Sequence, residues 1–269
     1  MKNRAICAVN IVIVDMMAVL LLLLLLAGCE TATHSRFSGN LNKELALKKY
    51  TDLGLVYLHK GDTAAAMPPL RRALEIDPKS ADVFAAFAML FQLENDRVLA
   101  QEYFNRALSY SSGVNKTRIR NNYASFLFKS ERVIDACEQL DLASRDAFYE
   151  RRATVYENLG ICYQRLGKRS DALVAYERAI DIDGMRARAL LEASLLQFEY
   201  NNIDKSGHYY RLYQRMVRYK MVSDSPQGLW LGMVLARYSG HYDVAASYAL
   251  KLGELFPEST EHKRLRMAE

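Results

Sequence analysis

The sequence predicts an all-α fold, a superhelical solenoid of about six helix hairpins. Three observations carry the prediction. A small residue recurs in the first helix of successive units, at Gly54, Ala88, Ala124 and Gly160, in steps of 34, 36 and 36 residues. A second helix follows each one, with alanines bracketing a large apolar residue, and turn-forming residues separate the two helices.

Taken in order, the unit near 47–80 shows Tyr50, Leu53, Gly54, Tyr57, Ala66, Leu70, Ala73 and Pro78. The next, near 81–114, repeats the pattern in type and spacing with Phe84, Phe87, Ala88, Phe91, Ala100, Phe104 and Ala107. The third, near 117–150, has Tyr123, Ala124, Leu127, Ala136, Leu140 and Ala143. Near 153–186 the residues are Tyr156, Leu159, Gly160, Tyr163, Ala172, Tyr176 and Ala179. Two weaker units follow where the period places them. Leu190, Ala193, Ser194, Ser206, Tyr210 and Tyr213 mark 187–220, with serine and tyrosine in place of the usual alanines. Leu231, Gly232, Leu235, Ala245, Leu252 and Pro257 mark 225–258, with one extra residue in the first helix. Apolar spacing alone would also fit amphipathic helices in an ordinary bundle. The repeat length instead matches the tetratricopeptide period of about 34 residues.

The pattern has a steric cause. The helices of a hairpin approach closely only where a Gly or Ala stands at the crossing, and large residues three and four positions away fill the remaining space. Lys60-Gly61-Asp62, Gly167-Lys168 and Ser239-Gly240 break one helix of a unit, and Asp77-Pro78 ends the next. The charged segment 259–269 favours helix and supplies a polar cap for the last unit.

Ahead of the array, Lys2 and Arg4 precede an apolar stretch over residues 16–27 that ends in Leu26-Ala27-Gly28-Cys29. This reads as a secretory signal over 1–28, too short for a comfortable membrane span. A cysteine directly after such a small-residue site is a lipidation point, so the mature chain is expected to begin at an acylated Cys29. Each buried methylene contributes about 0.8 kcal/mol, and stable attachment takes more than one acyl chain. Residues 29–43 lack helical periodicity and read as a flexible tether. Asp15 interrupts the apolar run, and Glu30 beside the cysteine leaves inner-membrane retention open against the outer membrane.

Half of the residues are apolar, which excludes a disordered chain. The 36 basic residues less Lys2 and Arg4, and the 31 acidic residues less Asp15, leave 34 against 30 from Cys29 onward. Basic and acidic residues interleave, as in Arg71-Arg72 before Glu75 and Asp77, so no nucleic-acid partner is implied. Five histidines (His34, His59, His208, His241 and His262) stand in no metal-ligand spacing, and no phosphate loop or nucleophile elbow is present. No enzyme activity, cofactor, metal or small-molecule substrate is expected. Cys137 and Cys162 lie inside helices of adjacent units and are expected as two buried thiols rather than a bridge.

The first helices of a curved array line its inner face. Groove positions are the second, fifth, ninth and twelfth to thirteenth of each unit. They place Leu55, Leu58, Met89, Leu93 and Phe128 on an apolar partner-binding strip through the first three units. The later units give a mixed lining that includes Glu157, Ile161, Arg165, Leu191, Leu195, Phe198, Met233 and Arg237; Trp230 is expected in the core.

The Leu-Ala-Gly-Cys site, the tether and six such units together resemble the type IV pilus biogenesis and stability lipoproteins, the PilF/PilW pilotins. The local resemblance lies in Gly61-Asp62-Thr63, in residues 69–78, in Asn121-Asn122-Tyr123, in Glu157-Asn158-Leu159-Gly160 and in Ala245-Ala246-Ser247-Tyr248. It spans about 45–257. The resemblance implies an adaptor, anchored by lipid on the periplasmic face of the outer membrane, that helps the secretin ring reach its membrane and multimerise. The alternative is a lipoprotein scaffold that recruits cell-wall hydrolases or another envelope complex.

Overall fold

The computed structural model describes residues 36–267, which fold into thirteen helices. The signal expected over 1–28 and the lipidation point Cys29 lie outside the described residues. The chain divides into a segment up to Lys49 and a body from Tyr50 onward. Helix α1 runs Arg36–His59, so the tether expected over 29–43 is helical from Arg36. Extending an existing helix costs far less than nucleating one.

In the body, α1 and α2 (Thr63–Ile76) form the first hairpin, and α3 (Ala81–Leu93) with α4 (Arg97–Tyr110) the second. The third pairs α5 (Gly113–Lys129) with α6 (Val133–Ser144), and the fourth α7 (Arg152–Arg165) with α8 (Arg169–Ile182). The fifth joins α9 (Ala187–Glu199) to α10 (Ile203–Arg218), and the sixth α11 (Pro226–Tyr238) to α12 (Tyr242–Leu255). A final α13 (Thr260–Met267) buries Leu265 beside Met233, Ala236 and Ala245.

All six hairpins turn in the same way. Three residues connect the helices, and the middle one is left-handed in each: Gly61, Asn95, Glu131, Gly167, Asn201 and Gly240, with φ from 60° to 78°. The next amide reaches back five residues, as in Asp62 N to Tyr57 O at 3.0 Å and Asn202 N to Gln197 O at 2.8 Å. This closure satisfies carbonyls at the end of the first helix. In the first two hairpins Asp62 and Asp96 also cap the second helix, accepting from Ala65 N at 2.8 Å and Leu99 N at 3.0 Å.

The small residues stand at the helix crossings. A Cβ on Gly54 would lie 2.5 Å from Leu70 Cδ2, and one on Gly160 2.5 Å from Tyr176 Cε1. Ala88 and Ala124 are buried at the equivalent positions, with Phe104 and Leu140 at the same offset along the second helix. In the fifth hairpin two fully buried serines take over. Ser194 Oγ donates to Ser206 O at 2.7 Å, and Ser206 Oγ donates to Ser194 O at 2.8 Å. Each hydroxyl thus satisfies itself on the backbone of the facing helix, which is why the alanine pattern could lapse without opening the crossing. Ser194→Ala or Ser206→Ala is expected to cost about 1 kcal/mol, the net worth of one such bond, read as a lowered urea midpoint. Valine at either site costs more, because the crossing has no room for it.

The expectation for the two cysteines fails. Cys137 on α6 and Cys162 on α7 are disulfide-bonded, with Cα atoms 5.6 Å apart, rather than free thiols. Periodicity places both residues on helices but does not show that the second helix of one unit meets the first helix of the next at bonding distance. Trp230 is half-buried, edge-on to Phe198 at 6.4 Å.

Candidate protein-binding groove

The first helices of successive hairpins lie side by side, and their facing positions are tied by polar bonds one repeat long. Arg118 on α5 pairs with Asp82 on α3 and also donates to Asn115 Oδ1 at 2.7 Å. Asn158 Nδ2 on α7 donates to Asn121 Oδ1 on α5 at 3.1 Å. Arg186, just before α9, donates to Glu157 at 2.7 Å, and Ala189 N donates to the same carboxylate at 3.3 Å. Farther along, Gln164 Nε2 donates to Glu192 at 2.9 Å and Gln164 Oε1 accepts from Tyr176 OH at 2.5 Å. Burial, with Glu192 close by, pushes the Tyr176 hydroxyl far above its ordinary range, so it remains a donor. Arg186 and Glu157 form the best shielded of these ion pairs, their side chains 24% and 13% exposed. Removing either partner would strand a partly buried charge.

Between α5, α6, α7 and α9 lies a cavity of about 280 Å³. Ala124 and Leu140, both buried, form its floor, and Phe128 and Ile161 its apolar walls. Ser125 and Asn158 add polar groups, and Lys129, Arg165 and Arg188 stand at the exposed rim. The Arg165 guanidinium sits over the Phe128 ring, 5.6 Å from its centre. Among the described residues no carboxylate lines the cavity. Past Arg188 the surface continues into a second cavity of about 480 Å³ bounded by Leu191, Glu192, Leu195 and Tyr213.

The five residues of the expected apolar strip part company. Phe128 lines the central cavity; Leu55 and Met89 are half-buried, and Leu93 is 49% exposed. Leu58 is a correction: at 3% exposure it belongs to the core. It follows Gly54 by four residues and therefore shares the face that packs against α2. Ile161 and Arg165, also read from spacing as groove positions, line the cavity with Phe128, as do Ser125 and Lys129 at the ninth and thirteenth positions of the third unit. Met233 and Leu191 are buried. Asn158 and Arg188 were missed. Arg188 occupies the second position of its unit, so the spacing rule reaches it; Asn158, at a sixth position, shows its place only through its bond to Asn121.

Among the described residues no group of His, Cys, Asp and Glu side chains could hold a metal ion, and no helix is long and apolar enough to cross a membrane. Tetratricopeptide-repeat family profiles match residues 50–80 and 116–184. The chain is 34% identical over 249 residues to the type IV pilus assembly protein PilF of Pseudomonas aeruginosa, covering 92% of this chain and 96% of that one. The solved structure of P. aeruginosa PilF superposes with a TM-score of 0.77, covering 85% of this chain and all of that one. The crystal structure of PilW, described as a widely conserved type IV pilus biogenesis factor, is 25% identical. It superposes with a TM-score of 0.63 over 81% of this chain and 97% of that one.

Proposed function

Because this chain belongs to the family of the type IV pilus assembly protein PilF, we propose that it is the pilotin of a pilus machine. On this reading it is a lipid-anchored adaptor that holds the secretin through its groove and promotes the ring's delivery to the outer membrane and its multimerisation. The observation that carries the proposal is the match to PilF along nearly the whole chain, through every hairpin. Two features add to it. Leu26-Ala27-Gly28-Cys29 supplies the expected lipidation point, and the side-by-side first helices supply an extended surface with unused apolar and cationic groups. On this reading the protein acts by binding.

The test is a double charge substitution in the half-buried groove positions, Leu55→Glu with Met89→Glu, in cells lacking the native chain. Heat-resistant secretin multimers and surface pili are expected to fall at least tenfold, with the variant's helical content unchanged. Full multimer levels would refute groove capture. Intact pili with altered cell-wall hydrolysis after deletion of the chain would replace the proposal with the hydrolase scaffold.

A further inference from the structure

We infer that the cavity between α5, α7 and α9 binds an internal segment of a partner protein, one that sets a carboxylate side chain next to an apolar side chain. The inference rests on the adaptor reading and supplies the chemistry of what the groove holds.

Charge is the first argument. Lys129, Arg165 and Arg188 reach the cavity rim, and none forms an ion pair among the described residues. The nearby carboxylates are already engaged. Glu157 is held by Arg186 and the Ala189 amide, and Glu192 accepts from Gln164. One repeat earlier Arg118 and Asp82 neutralise each other. The lining of this cavity is therefore cationic with no acidic group inside it; Glu192, bound only to a neutral amide, keeps its charge in the adjoining cavity. The Phe128 ring under Arg165 fixes one guanidinium in place before any ligand arrives, so less freedom is lost on binding.

Shape and polarity give the rest. Phe128, Ile161 and Leu140 offer an apolar pocket directly beside the cations, which favours an acidic residue with an apolar neighbour over a purely acidic run. Asn158 spends one amide hydrogen on Asn121; its carbonyl and second hydrogen remain for the backbone of such a segment. Arg188 lines both this cavity and the next. That continuity fits a segment passing through rather than a chain terminus ending here.

The experiment selects phage-displayed random dodecapeptides on the full chain held in detergent micelles, then measures one winner by fluorescence anisotropy. Selected peptides are expected to carry Asp or Glu adjacent to Leu, Ile, Met or Phe. R165E/R188E should weaken binding at least tenfold, as should Asp→Asn or Glu→Gln in the peptide. R211E/R215E, reversing two exposed arginines on α10, should leave binding unchanged. Amidating the peptide's C-terminus should change nothing. Circular dichroism checks folding, and R165Q/R188Q replaces the reversal if that variant unfolds. Winners without acidic residues, binding that survives both arginine variants, failure to select any peptide, or binding lost on amidation would each overturn the inference. Secretin co-purification is scored separately. Its absence with the wild-type chain sinks the pilotin reading and leaves the peptide result standing. Its persistence with R165E/R188E, where the peptide is lost, shows that the secretin docks elsewhere.

Discussion

Gly160→Val is expected to destabilise the chain by about 3 kcal/mol or more, the upper end of what overpacking costs. The reason is the neighbour. A Cβ at Gly160 would lie 2.5 to 2.8 Å from three atoms of the Tyr176 ring. That ring is fully buried and anchored by its hydroxyl to Gln164, so it has nowhere to swing. The urea midpoint followed by far-UV circular dichroism should fall, with the loss centred on the fourth hairpin in hydrogen exchange. Other units of the same chain suggest the rescue. Ala124 and Leu140 stand at the equivalent crossing of the third hairpin, both buried, so Gly160→Ala combined with Tyr176→Leu rebuilds a pairing this fold already tolerates. The double variant is expected to recover most of what Gly160→Ala alone loses. An unchanged midpoint for Gly160→Val would mean that the helices do not cross where these glycines stand.

Opening the Cys137–Cys162 bond gives the second large effect. The cysteines are 25 residues apart, and closing a loop of that length in the unfolded chain is worth about 3.5 kcal/mol in the chain-entropy model. Reduction, or Cys137→Ala with Cys162→Ala, should lower the urea midpoint accordingly. A thiol assay on the denatured, unreduced chain should find neither cysteine reactive. Equal midpoints with and without reductant would contradict the bridge. Such a bond suits an oxidising compartment.

The sequence revealed what has a local cause. Gly and Ala at the crossings are forced by contact distance, so Gly54, Ala88, Ala124 and Gly160 mark their hairpins by residue type and spacing alone. Turns at Gly61, Gly167 and Gly240 are legible for the same reason, since left-handed backbone favours glycine. Asn95 and Asn201 carry a fainter version of that signal. Glu131 carries none, and only its recurrence in the period could point to it. Pairings between units were hidden. The disulfide and the Asn121–Asn158 bond depend on how one hairpin stacks on the next, and no spacing inside a unit reports that. In the groove, Phe128 and Arg165 followed from helical spacing. Leu58 was misplaced because a twelfth position sits at the margin between the core and the open face, where one leucine is covered and a larger phenylalanine reaches out.

The polar bonds between neighbouring first helices have a mechanical consequence. Asp82 to Arg118, Asn121 to Asn158, Glu157 to Arg186 and Gln164 to Glu192 run one after another from the second unit to the fifth. Other links join successive units as well: the Cys137–Cys162 bond, Arg132 with Gln101, and Glu177 with Gln197 and Tyr209. The second to fifth hairpins should therefore move as one piece, and the spacing that meets an incoming segment is set before it arrives.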